Sequence, residues 1–115
     1  MKYTRLLQFD KKTQHQIYER DRICIFCKIS YHMENYNPNK LECIIHDVAH
    51  YIPKSKLGLG ILENGVWCCR YHHHMLDNGK GGHRTEMLKI IADYLKSIYP
   101  DWDKDKLVYK KDRTI

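Results

Sequence analysis

Two pairs of cysteine and histidine residues have the spacing of metal-binding knuckles. Two residues separate Cys24 from Cys27, and two residues separate Cys69 from His72. Together the pairs supply the thiolate and imidazole ligands of a closed, tetrahedral structural zinc site. Cys27 and Cys69 are 42 positions apart, whereas a simple zinc finger separates its two pairs by about 12 residues. We therefore expect the zinc ion to clamp the base of an inserted segment.

The number of cysteines in the chain does not suggest a disulfide framework. The chain has five cysteines, an odd number that would leave one thiol unpaired. The N-terminal residues contain no apolar stretch of signal-peptide length, so we expect a reducing compartment and metal ligation rather than disulfides. Cys43 and Cys68 have no partner at ligand spacing, and we expect both to be small core residues.

Hydrophobic patterning and turn residues predict the elements that must position these ligands. The sequence predicts a polar helix over residues 10–22 capped by Asp10, a loop over 31–40, a strand over 41–52, a second strand around 66–68, a short helix over 70–77 and an amphipathic helix over 85–99. Pro100 ends the last helix, and the charged tail 103–115 is expected to be peripheral. We expect residues 1–115 to form one domain, with the motifs at about residues 20–80.

The segment between the two knuckles carries a further set of motifs. His50 is followed by the run 52–56, Ile-Pro-Lys-Ser-Lys, by a glycine-containing loop and by Asn64, and the second knuckle continues into His73. This order, with nine positions from Asn64 to His73, resembles the HNH endonuclease family, the zinc-stapled branch of the His-metal finger nucleases. The stretches 58–65 and 71–79 look most like small HNH proteins of bacteriophages. The resemblance implies an α+β fold with a ββα-metal core, stapled by the zinc site and flanked by N-terminal and C-terminal helices.

The resemblance also implies a catalytic arrangement. It assigns the general base to His50, a ligand of a catalytic divalent cation to His73, and to Asn64 a bracing role in the loop between the strands. Phosphodiester hydrolysis needs a base to activate water and a cation to stabilise charge on the phosphate. A neutral imidazole suits the first task near pH 7. Asp77 lies one helical turn after His73 and is a candidate second ligand of the cation, which is left open among Mg²⁺, Mn²⁺, Ni²⁺ and Zn²⁺.

One position departs from the family pattern. The family usually has Asp or His immediately before the base as a metal ligand, and here that position is Ala49, which cannot ligate. Because side chains alternate along a strand, Asp47 should face the same side as Ala49, about 6–7 Å further along. Asp47 is therefore the best substitute ligand. His46 should share the face of His50 and is the weaker candidate.

Each assignment has a plainer alternative. An isolated histidine such as His50 is usually an ordinary surface or core residue. The adjacent His72, His73 and His74 leave a one-residue ambiguity, although the spacing from Cys69 selects His72 for zinc and leaves His74 exposed. Basic residues near the motifs are candidates for contacts with DNA phosphates, or they form a solvated basic surface. These residues are Lys54, Lys56, Arg70, Lys80 and Arg84.

Composition favours a nucleic-acid partner. The formal net charge is +6, which suits an anionic partner such as DNA. No apolar run approaches the roughly 20 residues of a membrane helix, so a membrane protein is not expected. We expect a cytoplasmic location in a bacterium or a phage-infected cell, with phage packaging or recombination proteins as further candidate partners. The oligomeric state is left open.

Three functions remain open from the sequence. The first is metal-dependent hydrolysis of DNA phosphodiester bonds, either nicking or cutting both strands. The second is a zinc-stapled nucleic-acid-binding module without cleavage, which the alanine at position 49 keeps open. The third is a cysteine-based redox protein, which is disfavoured because the second knuckle pairs its cysteine with histidine and offers no resolving thiol.

Overall fold

The computed structural model describes residues 4–79 and 82–110. In these ranges the helices and strands, in chain order, are α1 (Thr4–Leu7), α2 (Lys11–Asp21), α3 (Ile25–Lys28), α4 (Leu41–Ile44), β1 (His46–His50), β2 (Gly65–Cys69), α5 (Arg70–Asn78) and α6 (His83–Ile98). Short 3-10 turns lie at Lys54–Lys56, Leu62–Asn64 and Lys104–Lys106. The α+β class is confirmed. No described helix is long and apolar enough to cross a membrane.

The sheet consists of β1 and β2, which pair antiparallel. His46 lies opposite Cys69 at one end, and His50 lies opposite Gly65 at the other. The strand β2 runs directly into α5, which packs against both strands. The chain therefore contains a strand–strand–helix unit, with α2 and α6 packed around it.

The predicted helices form with the expected ends. Asp10 caps α2 by accepting a hydrogen bond of 2.7 Å from the backbone N–H of Thr13. Gly79 ends α5 in the left-handed region, at φ 62°, where glycine carries no steric penalty. The last helix begins two residues earlier than predicted, at His83, and stops at Ile98 before Pro100.

The strand predicted over residues 41–52 is wrong at both ends. Residues 41–44 form the helical turn α4, and the strand covers His46–His50 alone. The turn buries Cys43 while Leu41 and Ile44 stay exposed. Packing of one buried residue has therefore outweighed the local preference of this apolar run for extended structure.

The hydrophobic core lies between the sheet and the helices α3, α5 and α6. It is formed by fully or almost fully buried side chains, among them Phe26, Ala49, Val66, Leu76, Met87, Ile91 and Leu95. The stripe on α6 predicted from its periodicity contributes three of these residues, as expected for an amphipathic helix.

A buried ion pair joins α2 to the rest of the molecule. The Asp21 carboxylate is fully buried and accepts hydrogen bonds from the Arg20 side chain, from the backbone N–H of Trp67 at 2.8 Å and from the Tyr94 hydroxyl at 2.5 Å. Arg20 also donates to the carbonyls of Leu62 and Gly65. Burial and the Asp21 bond raise the pKa of Tyr94 to about 12, so its hydroxyl remains a donor.

The tail is not wholly peripheral. Leu107 is 2 % exposed, and its carbonyl accepts a 2.7 Å hydrogen bond from the backbone N–H of Leu59. The backbone N–H of Tyr109 donates to the carbonyl of Leu57 at 2.8 Å. The charged composition of the tail did not predict this packing, because a single apolar side chain, that of Leu107, holds the tail in place. Residues 111–115 of the predicted tail lie outside the described part of the chain.

Candidate functional site

The two predicted knuckles meet in one cluster. Cys24 is the N-cap of the single turn α3 and Cys27 lies within it, and Cys69 and His72 lie at the junction of β2 and α5. The Sγ atoms of Cys24, Cys27 and Cys69 and the Nδ1 atom of His72 all lie within 4.8 Å of one another. All four side chains are buried or half-buried.

The interatomic distances match a tetrahedral metal site. Metal–sulfur and metal–nitrogen bonds of about 2.3 and 2.0 Å at tetrahedral angles place sulfur atoms about 3.8 Å apart and sulfur about 3.5 Å from nitrogen. The Cys27 and Cys69 sulfurs are 3.8 Å apart. The sulfur–nitrogen distances to His72 are 3.3, 3.5 and 3.7 Å. The cluster can therefore hold a structural metal ion such as zinc, and its sulfur separation is far too long for a disulfide.

A hydrogen bond to a backbone carbonyl orients His72, the histidine of the cluster. The Nε2 atom of His72 lies 2.6 Å from the carbonyl of Tyr31, and a carbonyl only accepts, so Nε2 carries the proton. The lone pair of Nδ1 then faces the sulfurs. Metal-binding histidines in proteins are held in this way by a hydrogen bond on the nitrogen away from the metal.

The other two cysteines are buried outside this ligand set. Cys43 is 3 % exposed and Cys68 is fully buried, as expected for small core residues. The Cys68 thiol donates to the carbonyl of Cys69 at 3.3 Å. All five cysteines are free thiols in the structure.

A second group of candidate site residues lines a cleft. We call it the histidine cleft; it has a volume of about 420 Å³ and is open to solvent. Its walls are formed by Gln8, Phe9, Gln14, Asp47, Val48, His50, Lys54 and His73. Four residues singled out in the sequence therefore converge here, namely Asp47, His50, Lys54 and His73.

His50 is held in one protonation geometry. Its Nε2 atom lies 2.8 Å from the carbonyl of Leu7, so this nitrogen carries the proton and donates it. The other nitrogen, Nδ1, keeps a free lone pair. The ring of Phe9 packs against the imidazole with centroids 4.3 Å apart. Burial lowers the pKa of His50 from its ordinary value of 6.5, so the ring is neutral at pH 7.

Asp47 and His73 form a close pair at the edge of the same cleft. Oδ1 of Asp47 lies 2.6 Å from Nδ1 of His73. The second carboxylate oxygen lies 3.5 Å from Nε of Arg70, and Nε2 of His73 lies 3.9 Å from the carboxylate of Asp77. The side chains of His73 and Asp47 are 25 % and 36 % exposed, so both can be reached from solvent.

Asn64 holds the loop between the strands by hydrogen bonds. The side chain is fully buried. Its Oδ1 accepts from the backbone N–H of Ile52 at 2.8 Å, and its Nδ2 donates to the carbonyls of Ile52 and Leu59 at 3.1 and 2.8 Å. Asn64 does not line the histidine cleft. Its contacts are those of a brace, two residues from the end of β1.

The position that departs from the family pattern lies in the core. Ala49 is fully buried. His46, the weaker substitute, stacks on Trp67 with ring centroids 5.7 Å apart and donates from Nδ1 to the carbonyl of Ile44 at 2.8 Å. It is not among the residues that line the cleft. The geometry therefore favours Asp47 over His46 as a partner of His73.

The predicted basic residues occupy different places. Lys54 is exposed and lines the histidine cleft. Arg70 pairs with Asp47, and Lys56 lines a neighbouring hollow with Arg84, whose side chain also donates to the carbonyl of Leu76 at 3.1 Å. Lys80 lies outside the described residues.

Three groups that contact the imidazoles of His72 and His50 were not predicted from the sequence. They are the carbonyls of Tyr31 and Leu7 and the ring of Phe9. A carbonyl leaves no trace in residue type, so no motif could have indicated the first two. Phe9 is one of two phenylalanines in the chain, and its position just before the N-cap of α2 was the available clue.

Comparisons of the chain with protein-family models, with curated proteins and with solved structures find no match.

Proposed function

We propose that the chain is a divalent-cation-dependent endonuclease of the HNH type, which hydrolyses DNA phosphodiester bonds. One observation carries the proposal: His50, a neutral imidazole with a free nitrogen, lies in the same cleft as the Asp47–His73 pair. A base and a cation-binding pair on one open surface are the two components that phosphodiester hydrolysis needs.

His50 is the general base in this mechanism. The Leu7 carbonyl fixes the proton on Nε2, so Nδ1 accepts a proton from the attacking water. Burial keeps the ring neutral near pH 7 by lowering its pKa, and a base must be unprotonated before it can act. The proton then resides on Nδ1, and the Nε2 bond to the carbonyl supports the imidazolium that forms.

Asp47 and His73 are the residues that would hold the catalytic cation. The 2.6 Å contact between Oδ1 of Asp47 and Nδ1 of His73 is a hydrogen bond, and a cation bound at Nδ1 would replace its proton. Both side chains are open to solvent, and carboxylate and imidazole together suit first-row divalent metals. Asp77 approaches the other ring nitrogen of His73, Nε2, at 3.9 Å, so it would join the ligands only of a cation bound at Nε2. The bound cation supplies Lewis-acid stabilisation of charge on the phosphate and the leaving oxygen. Asp47, two residues earlier in the strand, then supplies the ligand that the buried Ala49 cannot provide.

The zinc cluster has a structural role in this proposal. It joins α3 to the junction of β2 and α5, and the neighbour of His72 on α5 is His73. The ion therefore fixes the helix that presents a cleft residue. Lys54 beside the cleft is placed to neutralise a DNA phosphate without reading sequence.

Cleavage of supercoiled plasmid by the zinc-loaded protein tests the proposal. Wild type, His50→Ala, His73→Ala and Asp47→Ala are assayed with Mg²⁺, Mn²⁺ or Ni²⁺ and with EDTA. Loss of a positioned base is expected to lower the cleavage rate by about 100-fold or more. His74→Ala is the matched control because His74 is the exposed neighbour of His73.

Cation-dependent nicking or linearisation that disappears in His50→Ala and persists in His74→Ala supports the nuclease. Zinc content is measured for every variant, so that a lost fold is not mistaken for a lost base. Full cleavage by His50→Ala at wild-type zinc content contradicts the assignment of His50.

A nucleic-acid-binding module without cleavage is the second candidate. The buried, non-ligating Ala49 favours it, because the strand then offers the cation one ligand fewer beside the base than the family pattern does. This function predicts a gel shift of plasmid DNA by the wild-type protein and no strand break with any of the cations. The same assay therefore decides between the two.

A further inference from the structure

We propose that the N-terminal segment Leu6–Asp10 is a positioning element for His50, holding its imidazole through Nε2 and leaving Nδ1 as the working nitrogen. The proposal deepens the nuclease assignment and rests on it for its catalytic meaning. Its structural half, the anchoring of His50, can be tested without any activity.

Two contacts join the segment to the imidazole. The Leu7 carbonyl accepts the Nε2–H of His50 at 2.8 Å, and the Phe9 ring packs on the same imidazole at a centroid distance of 4.3 Å and a tilt of 46°. Leu7 itself is 6 % exposed, so its side chain holds the carbonyl in place. A ring with one nitrogen bonded and one face covered has little freedom to rotate.

The segment is clamped to the molecule on both sides of these contacts. The Leu6 carbonyl accepts a 2.8 Å hydrogen bond from the backbone N–H of Gly60. The Phe9 carbonyl accepts a 2.8 Å bond from the side chain of Gln14 in α2. The loop before β2 and the helix α2 thus fix the segment at its two ends.

Two glycines allow the segment to lie this close. A Cβ atom on Gly60 would meet the carbonyl oxygen of Gln8 at 2.1 Å, and a Cβ atom on Gly65 would meet the Phe9 ring at 2.6 Å. Both distances are shorter than atoms can approach, and at Gly60 the obstacle is backbone. With the segment in place, only glycine therefore fits at position 60.

The segment also forms part of the cleft wall. Gln8 and Phe9 line the histidine cleft together with His50 and the Asp47–His73 pair. A residue that contacts the base and also borders the cleft must keep its position relative to the base and to the DNA that would bind there. Displacement of a catalytic group by about 1 Å can lower a rate by about 100-fold, so movement of this segment is expected to affect turnover more than DNA affinity.

The test is proton and nitrogen NMR of the imidazole of His50 in zinc-loaded protein without other divalent cations. Wild type is expected to show a slowly exchanging Nε2–H resonance and an unprotonated Nδ1. Gly60→Ala, which pushes the segment away without changing any cleft side chain, is expected to lose the protected resonance. Phe9→Ala, which uncovers one face of the imidazole, is expected to weaken it.

Leu6→Ala is the matched control from the same segment, because its side chain is 52 % exposed and its carbonyl is unchanged. It is expected to keep the protected Nε2–H resonance. Zinc stoichiometry in each variant shows that the fold is intact. On plasmid DNA, Gly60→Ala is expected to cut about 100-fold more slowly while gel-shift affinity stays within about twofold of wild type.

Three outcomes are informative. A protected proton on Nδ1 of His50 in wild type, or an unchanged Nε2–H resonance in Gly60→Ala, overturns the positioning role. An intact wild-type resonance that vanishes in Gly60→Ala supports the anchoring. If that pattern is found in a protein that cuts no DNA, the anchoring stands and the nuclease assignment fails.

Discussion

At the scale of the residue, the chemistry available to His72, His50 and His73 depends on which group contacts one ring nitrogen of each. His72 donates from Nε2 to a carbonyl and turns Nδ1 to three sulfurs. His50 also donates from Nε2 to a carbonyl, but it lines an open cleft. His73 uses Nδ1 on a carboxylate. Spacing in the sequence suggested His72, and the family resemblance suggested His50 and His73, whereas the partners that separate their chemistry come from distant parts of the chain.

The pH dependence of cleavage follows from the environment of His50. A general base works only when neutral, so kcat/KM is expected to fall as pH decreases through the pKa of His50. Burial lowers that pKa below 6.5, so the acid limb is expected below pH 6.5 and cleavage is expected to be pH-independent through neutrality. Plasmid cleavage measured from about pH 5 to 8 checks this. An acid limb at or above 6.5 would contradict it.

Replacing Asn64 by alanine is expected to destabilise the loop between the strands. The change removes three hydrogen bonds and leaves buried backbone groups of Ile52 and Leu59 without partners. The expected cost is about 3 kcal/mol of unfolding free energy, measured by urea denaturation of the zinc-loaded protein. Asn78→Ala, at an exposed position, is the control and should change stability by less than about 0.5 kcal/mol. Equal effects of the two substitutions would refute the bracing role.

At the scale of the element, packing decides where local sequence preference does not. The helices α2, α5 and α6 were predictable because caps, a terminal glycine and a 3.6-residue apolar repeat agree with one another. The turn α4 was not predictable, because residues 41–45 are apolar apart from Glu42 and suit a strand equally well. The contact between α2 and α6 was also hidden, since Asp21 and Arg20 look like solvent-exposed residues of a polar helix.

The ion pair between Arg20 and Asp21 provides a test at this scale. Asp21→Ala is expected to cost about 3–5 kcal/mol, because it leaves the Arg20 guanidinium and the Trp67 N–H without their buried acceptor. Asp93→Ala removes an exposed pair with Lys89 and is expected to cost less than about 1 kcal/mol. Thermal and urea unfolding of both variants make the comparison. A small effect of Asp21→Ala would mean that this ion pair does not secure α2.

At the scale of the whole molecule, the metal cluster and the histidine cleft share one strand–strand–helix unit, because β1, β2 and α5 supply residues to one or both of them. The cluster ligands follow from x2 spacing, and this part of the site was accessible from sequence alone. The walls of the cleft were only half accessible, because the strand and helix residues were singled out but the segment Leu6–Asp10 was not. Its contribution is made through backbone carbonyls and close approach at glycines, which residue types do not record.

Zinc removal is expected to unfold the molecule, because two strands and short helices bury little core without the ion. A strong chelator should lower the melting temperature, and Cys24→Ala should bind zinc weakly or not at all. Cys43→Ala is the control, since Cys43 is buried but lies outside the cluster. Metal analysis and calorimetry provide the measurements. An unchanged melting temperature after verified removal of the metal would contradict a structural role.

The most direct measurement for the account as a whole is chemical rescue of His50→Ala by imidazole. The substitution leaves a ring-sized space beside Phe9, within the histidine cleft. Added imidazole is expected to restore cation-dependent plasmid cleavage to His50→Ala in proportion to its concentration, and to leave His73→Ala inactive. Wild-type protein that cleaves no DNA with any divalent cation, or His50→Ala that cleaves at the wild-type rate without imidazole, would contradict the proposed nuclease mechanism.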